Sequence, residues 1–116
     1  MMTKLKMETN LILEKGVRII NLDENLFDGY LSEIDDGIWI SAIKSKKIGN
    51  GDFSRLIKEL KEKYDWIKIP TPSNMMREKA KHLGFIEKEE YFGEPFYEMG
   101  EIMFWSKLND LQKNDN

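Results

Sequence analysis

The sequence contains no cysteine among its 116 residues, and its single histidine is His82. The absence of cysteine excludes disulfide bonds, thiolate metal sites and cysteine nucleophiles, and it is consistent with a reducing compartment. One histidine cannot form a metal site by itself, and no group of carboxylates has the spacing of metal ligands. We therefore predict no bound metal and expect His82 to be a solvated residue near the end of a helix.

Long apolar runs and an excess of basic residues are also missing. No run approaches the ~20 apolar residues that span a bilayer. The first residues, Met1 to Lys4, lack the apolar stretch of a signal peptide. We therefore expect a cytoplasmic protein that does not associate with a membrane. The net charge of −3 argues against nucleic-acid binding, because domains of that kind usually carry a basic excess.

The first 43 residues have the pattern of four β-strands. Two β-rich runs, 10–13 and 17–20, are separated by a glycine-containing turn and predict a hairpin. A third strand is predicted over 27–33, followed by a turn at Asp35-Asp36-Gly37. The fourth, 38–43, is apolar at every position except Ser41, which is typical of a central strand that is covered on both faces.

After Asp52 the apolar period changes from two residues to that of a helix. The apolar positions of this predicted helix are Phe53, Leu56, Ile57, Leu60 and Tyr64. A strand over 66–69 follows, and Pro70 and Pro72 end its pairing. A second helix then begins, with Ser73 or Asn74 as its N-cap and Gly84 at its C-terminal end. Its predicted inner face consists of Met76, Ala80 and Leu83. Separately, Met75, Met76 and Met99 are expected to fill gaps in the core.

Two more strands are predicted after the second helix, one starting at Phe85-Ile86 and one over 101–105. The unit from 38 to 69 is strand–helix–strand, which predicts a right-handed parallel crossover within a mixed sheet. We expect one domain over 1–107 and a polar, disordered tail over 108–116. A ligand is expected at the carboxyl end of the crossover strands, where the direction of the sheet changes.

The segment between the fourth strand and the first helix reads Lys46-Lys47-Ile48-Gly49-Asn50-Gly51. A glycine-containing basic loop that leads into a helix N-terminus can bind a phosphate group, because backbone N–H groups and the helix dipole both favour an anion there. A plain turn would have the same composition. The loop is the feature on which a functional hypothesis depends.

Together these residues resemble the GNAT superfamily of N-acetyltransferases. In that superfamily an apolar strand is followed by Arg/Gln-x-x-Gly-x-Gly/Ala, and here Lys46-x-x-Gly49-x-Gly51 follows the strand 38–43. A later helix in the superfamily opens with Asn or Ser and closes with Leu-Gly-Phe, as Ser73-Asn74 and Leu83-Gly84-Phe85 do here. The resemblance implies an α/β (α+β) fold with a mixed, mostly antiparallel sheet of six to seven strands, two main helices and a central splayed pair of parallel strands.

The resemblance also implies a cofactor and a reaction. Acetyl-coenzyme A would be the donor, and an amine of a protein or a small molecule would attack its thioester directly; a homodimer is compatible with this. The residues that the resemblance places around the cofactor are Ser41, Ala42, Ile43, Lys46, Lys47, Ile48, Gly49, Asn50, Gly51, Asp52, Phe53 and Asn74.

Catalytic residues are harder to assign, because carboxylates are plentiful. Glu33 is a candidate for the group that accepts the amine proton, and Ser73 could contact the cofactor or the leaving thiolate. Further carboxylates that could serve as the base are Glu89, Glu90 and Glu101. Ala80 stands where many members of the superfamily have a tyrosine that protonates the thiolate. A GNAT fold that binds or regulates without catalysis is therefore the second hypothesis, and a nucleic-acid-associated α+β domain is the third.

Overall fold

The computed structural model describes residues 8–14, 17–47, 49, 51–70, 72–92 and 97–114. In chain order its elements are β1 (Glu8–Glu14), β2 (Val17–Asn21), β3 (Phe27–Ile34), β4 (Gly37–Ser45), α1 (Asp52–Lys63), β5 (Trp66–Pro70), α2 (Asn74–His82), β6 (Ile86–Phe92), β7 (Glu98–Ser106) and α3 (Lys107–Asn114). Each predicted strand and helix is present, with ends within a few residues of the predicted ones.

The strands form one sheet in the order β1-β2-β3-β4-β5-β7-β6. β1 to β4 make an antiparallel meander, β4 and β5 are parallel, and β7 lies antiparallel to both β5 and β6. The predicted fold class is confirmed, because the chain has a mixed, mostly antiparallel sheet with a central parallel pair and two main helices. The one parallel pairing is the crossover that the strand–helix–strand pattern predicts.

Local signals in the sequence explain several of the element boundaries. Asp35 has a φ of 53° in the turn between β3 and β4, which aspartate tolerates better than most residues. The Ser73 Oγ accepts a hydrogen bond from the Met76 N–H at 3.2 Å and caps α2. Gly84 has a φ of 92° directly after α2, as a helix-terminating glycine does. The turn predicted at Lys15-Gly16 lies outside the described residues.

One face of the sheet, which we call the helix face, carries the core. Its strands contribute Leu31, Ile38, Ile67 and Met103, each of them fully buried. The inner sides of α1 and α2 cover these residues with Phe53, Leu56, Ile57, Leu60 and Ala80. Because side chains alternate along a strand, the residues between these core positions lie on the opposite face.

The opposite face, which we call the open face, is lined by aromatic and basic side chains of β4, β5, β6 and β7. They are Trp39, Trp66, Lys68, Lys88, Phe92 and Phe104. The contacts described for α1, α2 and α3 all involve the helix face. The sheet is therefore covered by helices on one side within the described residues.

The segment after Lys107 differs from the disordered tail expected for 108–116. Residues up to 114 form α3. Its start is capped, because the Ser106 Oγ accepts a hydrogen bond from the Asn109 N–H at 3.1 Å. The Trp105 indole Nε1 donates to Asp110 Oδ2 at 2.7 Å, which holds the helix against the sheet. The polar composition of this segment predicts a frayed tail. The cap at Ser106 and the contact between Trp105 and Asp110 favour a helix instead.

Candidate functional site

The central parallel strands separate towards their carboxyl ends. Their ladder consists of Gly37↔Trp66, Ile38↔Ile67 and Trp39↔Lys68. β4 continues for six residues beyond Trp39, which is about 20 Å of strand. Meanwhile Ile69 and Pro70 of β5 pair with β7. The edge of β4 that faces β5 therefore has no ladder partner beyond Trp39 within the described residues, as expected for a splayed pair.

A cleft of about 240 Å³ lies where the two strands have parted. Its walls come from the end of β4, the start of α1 and the first two turns of α2. The lining residues are Ile43, Lys44, Ser45, Phe53, Ser73, Met75, Met76 and Lys79. The cleft combines an apolar surface with two lysines, and it lies at the carboxyl end of the crossover strands, where a ligand was predicted.

The predicted phosphate loop leads from the cleft into α1. Gly49 has a φ of 85° and Gly51, the N-cap of α1, has a φ of 76°, so both adopt the left-handed conformation that glycine permits. Gly51 has no side chain that could accept hydrogen bonds from the first turn, and the first N–H groups of a helix lack partners within it. Ile48 and Asn50, which were predicted to contact the cofactor, lie outside the described residues.

Asp52 introduces a negative charge at this helix start. Its side chain is fully buried, and Oδ1 forms an ion pair with the Arg55 guanidinium one turn later. Oδ2 is buried and has no hydrogen-bond partner among the described residues. A carboxylate in the first turn is favoured by the helix dipole. Asp52, which the resemblance places near the cofactor, is the first-turn acid of α1, and Gly51 is the N-cap.

The basic residues of the loop are exposed. The Lys46 N–H donates to the Leu26 carbonyl at 2.9 Å, so this amide belongs to the sheet and cannot also bind an anion. The Lys46 Nζ lies 3.6 Å from Asp28 Oδ1, on the surface. Asn74, a further predicted cofactor contact, accepts a hydrogen bond from the Arg77 Nη1 at 3.2 Å. Lys47 is exposed.

Several residues of the cleft were not predicted as ligand contacts. Met75 was expected to fill the core, but 59% of it is exposed and it lines the cleft. Met76 both packs against the core and lines the cleft. Lys79 is on the same side of α2, one turn after Met75 and Met76. The i, i+4 spacing of Met75 and Lys79 could have predicted that both line the same site, because residues at this spacing share a helix face.

The two predicted catalytic residues lie at different places. Ser73 lines the cleft and also caps α2. Glu33 pairs with Ile38 at the start of β4, five residues, or roughly 16 Å, before Ile43. Antiparallel pairing puts the end of β3 beside the start of β4, so Glu33 is at the far end of the strand from the cleft.

Glu33 has structural partners at that far end. Its Oε2 accepts a hydrogen bond from the Tyr64 hydroxyl at 2.5 Å, and its Oε1 is paired with Arg18. Burial raises the pKa of Tyr64 above its ordinary value of 10.0, while the nearby Arg18 opposes this rise. The three side chains join β2, β3 and the end of α1, so Glu33 holds elements together there.

The other candidate carboxylates also have cationic partners or lie away from the cleft. Glu101 accepts from Arg77 at 2.5 Å on the helix face, and Glu90 accepts from Lys68 at 2.6 Å on the open face. Glu89 is exposed on β6. Ala80 is fully buried in the core, so this position does not face the cleft.

A second cavity, of about 450 Å³, lies beside the connection between β2 and β3. Carboxylates of Asp23, Glu24 and Asp28 are among the residues around it. Among the described residues, however, no group of three or more His, Asp or Glu side chains could hold a metal ion. The cleft at the parted strands remains the better candidate site.

Comparisons with protein-family models, with curated proteins and with solved structures found no match to this chain. None of the helices in the described part of the chain is long and apolar enough to cross a membrane.

Proposed function

We propose that this protein is a small N-acetyltransferase of the GNAT type, which binds acetyl-coenzyme A in the cleft and transfers its acetyl group to an amine. The observation that supports this most is the parting of β4 and β5 after Trp39↔Lys68, with a cleft between the first turns of α1 and α2. The edge of β4 that lacks a ladder partner lies beside the apolar surface of the cleft. This arrangement suits an extended arm that contains amide groups, such as pantetheine.

The residues around the cleft fit such a donor. Lys44 and Lys79 supply positive charge for phosphate groups, and Ile43, Phe53 and Met76 supply apolar surface for the arm. The left-handed Gly49 and Gly51 let the backbone before α1 curve around an anion. The negative charge of Asp52 opposes a diphosphate here, but the Arg55 guanidinium beside it offsets this charge.

In this reaction the protein has to position the acceptor amine against the thioester and polarise the thioester carbonyl. An acceptor amine would attack the thioester carbonyl of acetyl-coenzyme A; the C–N bond forms, the C–S bond breaks, and coenzyme A leaves as a thiolate that takes up a proton from water. Backbone N–H groups on the unpaired edge of β4, over Ser41 to Ile43, polarise a carbonyl held there by favouring negative charge on its oxygen. None of the described residues that line the cleft is a carboxylate, so we assign the amine proton to water and not to Glu33.

A calorimetric titration with a matched pair of variants tests the binding site. Lys79→Glu reverses a charge on the cleft, and Lys63→Glu reverses one in the last turn of α1, away from it. We expect acetyl-coenzyme A to bind the intact chain and Lys63→Glu alike, and to bind Lys79→Glu roughly tenfold more weakly. Equal affinity for all three would show that the cleft is not the site.

A second candidate function is a binding or regulatory module that holds the cofactor without catalysis. The burial of Ala80 and the remote position of Glu33 favour it, because neither position then supplies the cleft with a tyrosine acid or a carboxylate base. Release of free coenzyme A thiol in the presence of amines separates the two functions. Binding with no thiol release over any tested amine would favour the module.

A further inference from the structure

The open face holds a partly buried ammonium group, that of Lys68, in an unusual setting. The Lys68 Nζ lies 5.2 Å from the centre of the Trp39 ring and 5.0 Å from that of Trp66. The two ring planes meet at 87°, so they form two walls at a right angle. Glu90 Oε1, which accepts from the same Nζ at 2.6 Å, closes a third side. We call this arrangement the Trp39–Trp66–Glu90 box.

The walls of the box are positioned by contacts that do not involve Lys68. Trp66 packs on Gly37, where any Cβ would overlap the indole ring. The Trp39 ring lies 6.5 Å from the Phe92 ring in an edge contact. Phe92 in turn packs on Gly100, where a Cβ would again overlap the ring. Removal of the lysine should therefore leave the rings in place.

The chemistry of the box suits an ammonium group that carries N–H donors. Two aromatic faces attract a positive charge and its methylene groups, and they do not attract an anion. The carboxylate at 2.6 Å needs an N–H donor, which a quaternary ammonium group lacks. A primary alkylammonium group satisfies both requirements, and the lysine side chain in the box is itself an example.

Lys68 can leave the box without unfolding the sheet. About 21% of its side chain is exposed and 32% of that of Glu90, on the face that the described helices leave uncovered. The lysine stem is flexible, and its ammonium regains water when it swings out. A ligand ammonium group that takes the place of the lysine makes the same contacts with the two indole rings and with the Glu90 carboxylate.

We propose that the Trp39–Trp66–Glu90 box is a binding site for a primary alkylammonium group, and that Lys68 fills this site until the ligand displaces it. The box lies beside Trp39↔Lys68, the last pair before β4 and β5 part, on the face opposite the core. Its use as the acceptor site of acetyl transfer rests on the proposed function, whereas amine binding itself does not.

The test uses n-butylammonium and follows the three indole N–H signals by NMR, without acetyl-coenzyme A. Trp105 lies on the helix face, where its indole N–H donates a hydrogen bond to Asp110, and its signal therefore serves as the internal reference. We expect Lys68→Ala to bind n-butylammonium roughly tenfold more tightly than the intact chain, because the internal competitor is gone. The Trp39 and Trp66 signals should move, and the Trp105 signal should stay.

Three controls define the chemistry of the site. In the Lys68→Ala chain, n-butanol and tetramethylammonium should each bind roughly tenfold more weakly than n-butylammonium. Adding Glu90→Gln should remove the preference over tetramethylammonium and reduce, without removing, the preference over n-butanol. Nα-acetyl-lysine amide distinguishes the source of the amine: tighter binding than n-butylammonium indicates a protein lysine, and equal binding a small amine.

The proposal is overturned if Trp39 and Trp66 do not respond to n-butylammonium, or respond equally to n-butanol. If Lys68→Ala does not fold, the intact chain gives the same readout at higher amine concentration. Amine binding in a chain that fails to bind acetyl-coenzyme A would contradict the proposed function and support the amine site. Binding of acetyl-coenzyme A without any response of the Trp39 and Trp66 signals to the amine would support the proposed function and contradict the amine site.

Discussion

Trp66 and Gly37 face each other across the parallel pair and are in close contact. A methyl group at position 37 would overlap the indole ring, so either the ring or the strand must shift. We predict that Gly37→Ala lowers the free energy of unfolding by about 1–3 kcal/mol, as overpacking does. Urea denaturation measures this loss.

Gly49→Ala provides the comparison for Gly37→Ala. Among the described residues no atom lies within 4 Å of a Cβ at Gly49, although its φ of 85° is strained for alanine. We therefore expect a loss of about 1–2 kcal/mol, from backbone strain and not from overpacking. A Gly37→Ala chain as stable as the natural one would contradict the packing of Trp66.

The Tyr64 hydroxyl gives a pH-dependent prediction. Its pKa is raised by burial above the value of 10.0 that it has in the unfolded chain. The contribution of the raised pKa to the free energy of unfolding is fully present below pH 10. It is lost as the pH rises through the pKa of Tyr64 in the folded state. The free energy of unfolding should therefore fall above pH 10.

Tyr64→Phe should cost about 1–2 kcal/mol at pH 8, because Glu33 loses a hydrogen-bond donor. The same variant should show a smaller fall in stability between pH 8 and pH 11 than the natural chain. Tyr91→Phe, at a residue 59% exposed, is the control. A natural chain and a Tyr64→Phe chain with parallel pH profiles would contradict this role.

Individual residues were predictable where the signal is local. The Asp35 turn, the Ser73 cap and the Gly84 helix end follow from neighbouring sequence, and the structure confirms each. Glu33 could not be placed, because its position depends on the register between two strands. Met75 was misassigned to the core, because a helix pattern alone does not say where its first turn meets the sheet.

The start of α1, where we propose that a diphosphate binds, also carries the buried carboxylate of Asp52. If a diphosphate binds there, the carboxylate repels it. We predict that Asp52→Asn binds acetyl-coenzyme A several-fold more tightly by calorimetry. The variant should also lose about 1–2 kcal/mol of stability, since the Arg55 pair and the dipole interaction are weakened.

The two effects of Asp52→Asn have opposite signs, so a general loss of structure cannot imitate them. Tighter binding would also be lost at high salt if it is electrostatic. An Asp52→Asn chain that binds more weakly would mean that the phosphate groups are held elsewhere.

α3 shows why the end of the chain was mispredicted. Its sequence is polar, but Asp110 accepts a hydrogen bond from the indole of Trp105, a residue only 4% exposed. A chain ending at Lys107 should therefore expose the Trp105 indole and shift its fluorescence emission to the red. An unchanged spectrum would show that α3 does not cover Trp105.

The sheet as a whole was largely predictable from sequence, because each strand carries its own pattern of apolar residues and turns. The strand–helix–strand unit determines the parallel crossover, and the meanders on both sides follow from short connections. The open face was not predictable in this way. Its aromatic residues come from β4, β5, β6 and β7, and only the strand order brings them together.

The account of function depends on the cleft between the parted strands being the place where acetyl-coenzyme A binds. Backbone amide NMR of the intact chain during titration with acetyl-coenzyme A tests this most directly. We predict that the signals of Ile43, Lys44, Ser45 and of α2 from Met75 to Lys79 move, while those around Glu33 and Tyr64 stay. No movement at millimolar acetyl-coenzyme A, or movement confined to residues outside the cleft, would contradict the proposal.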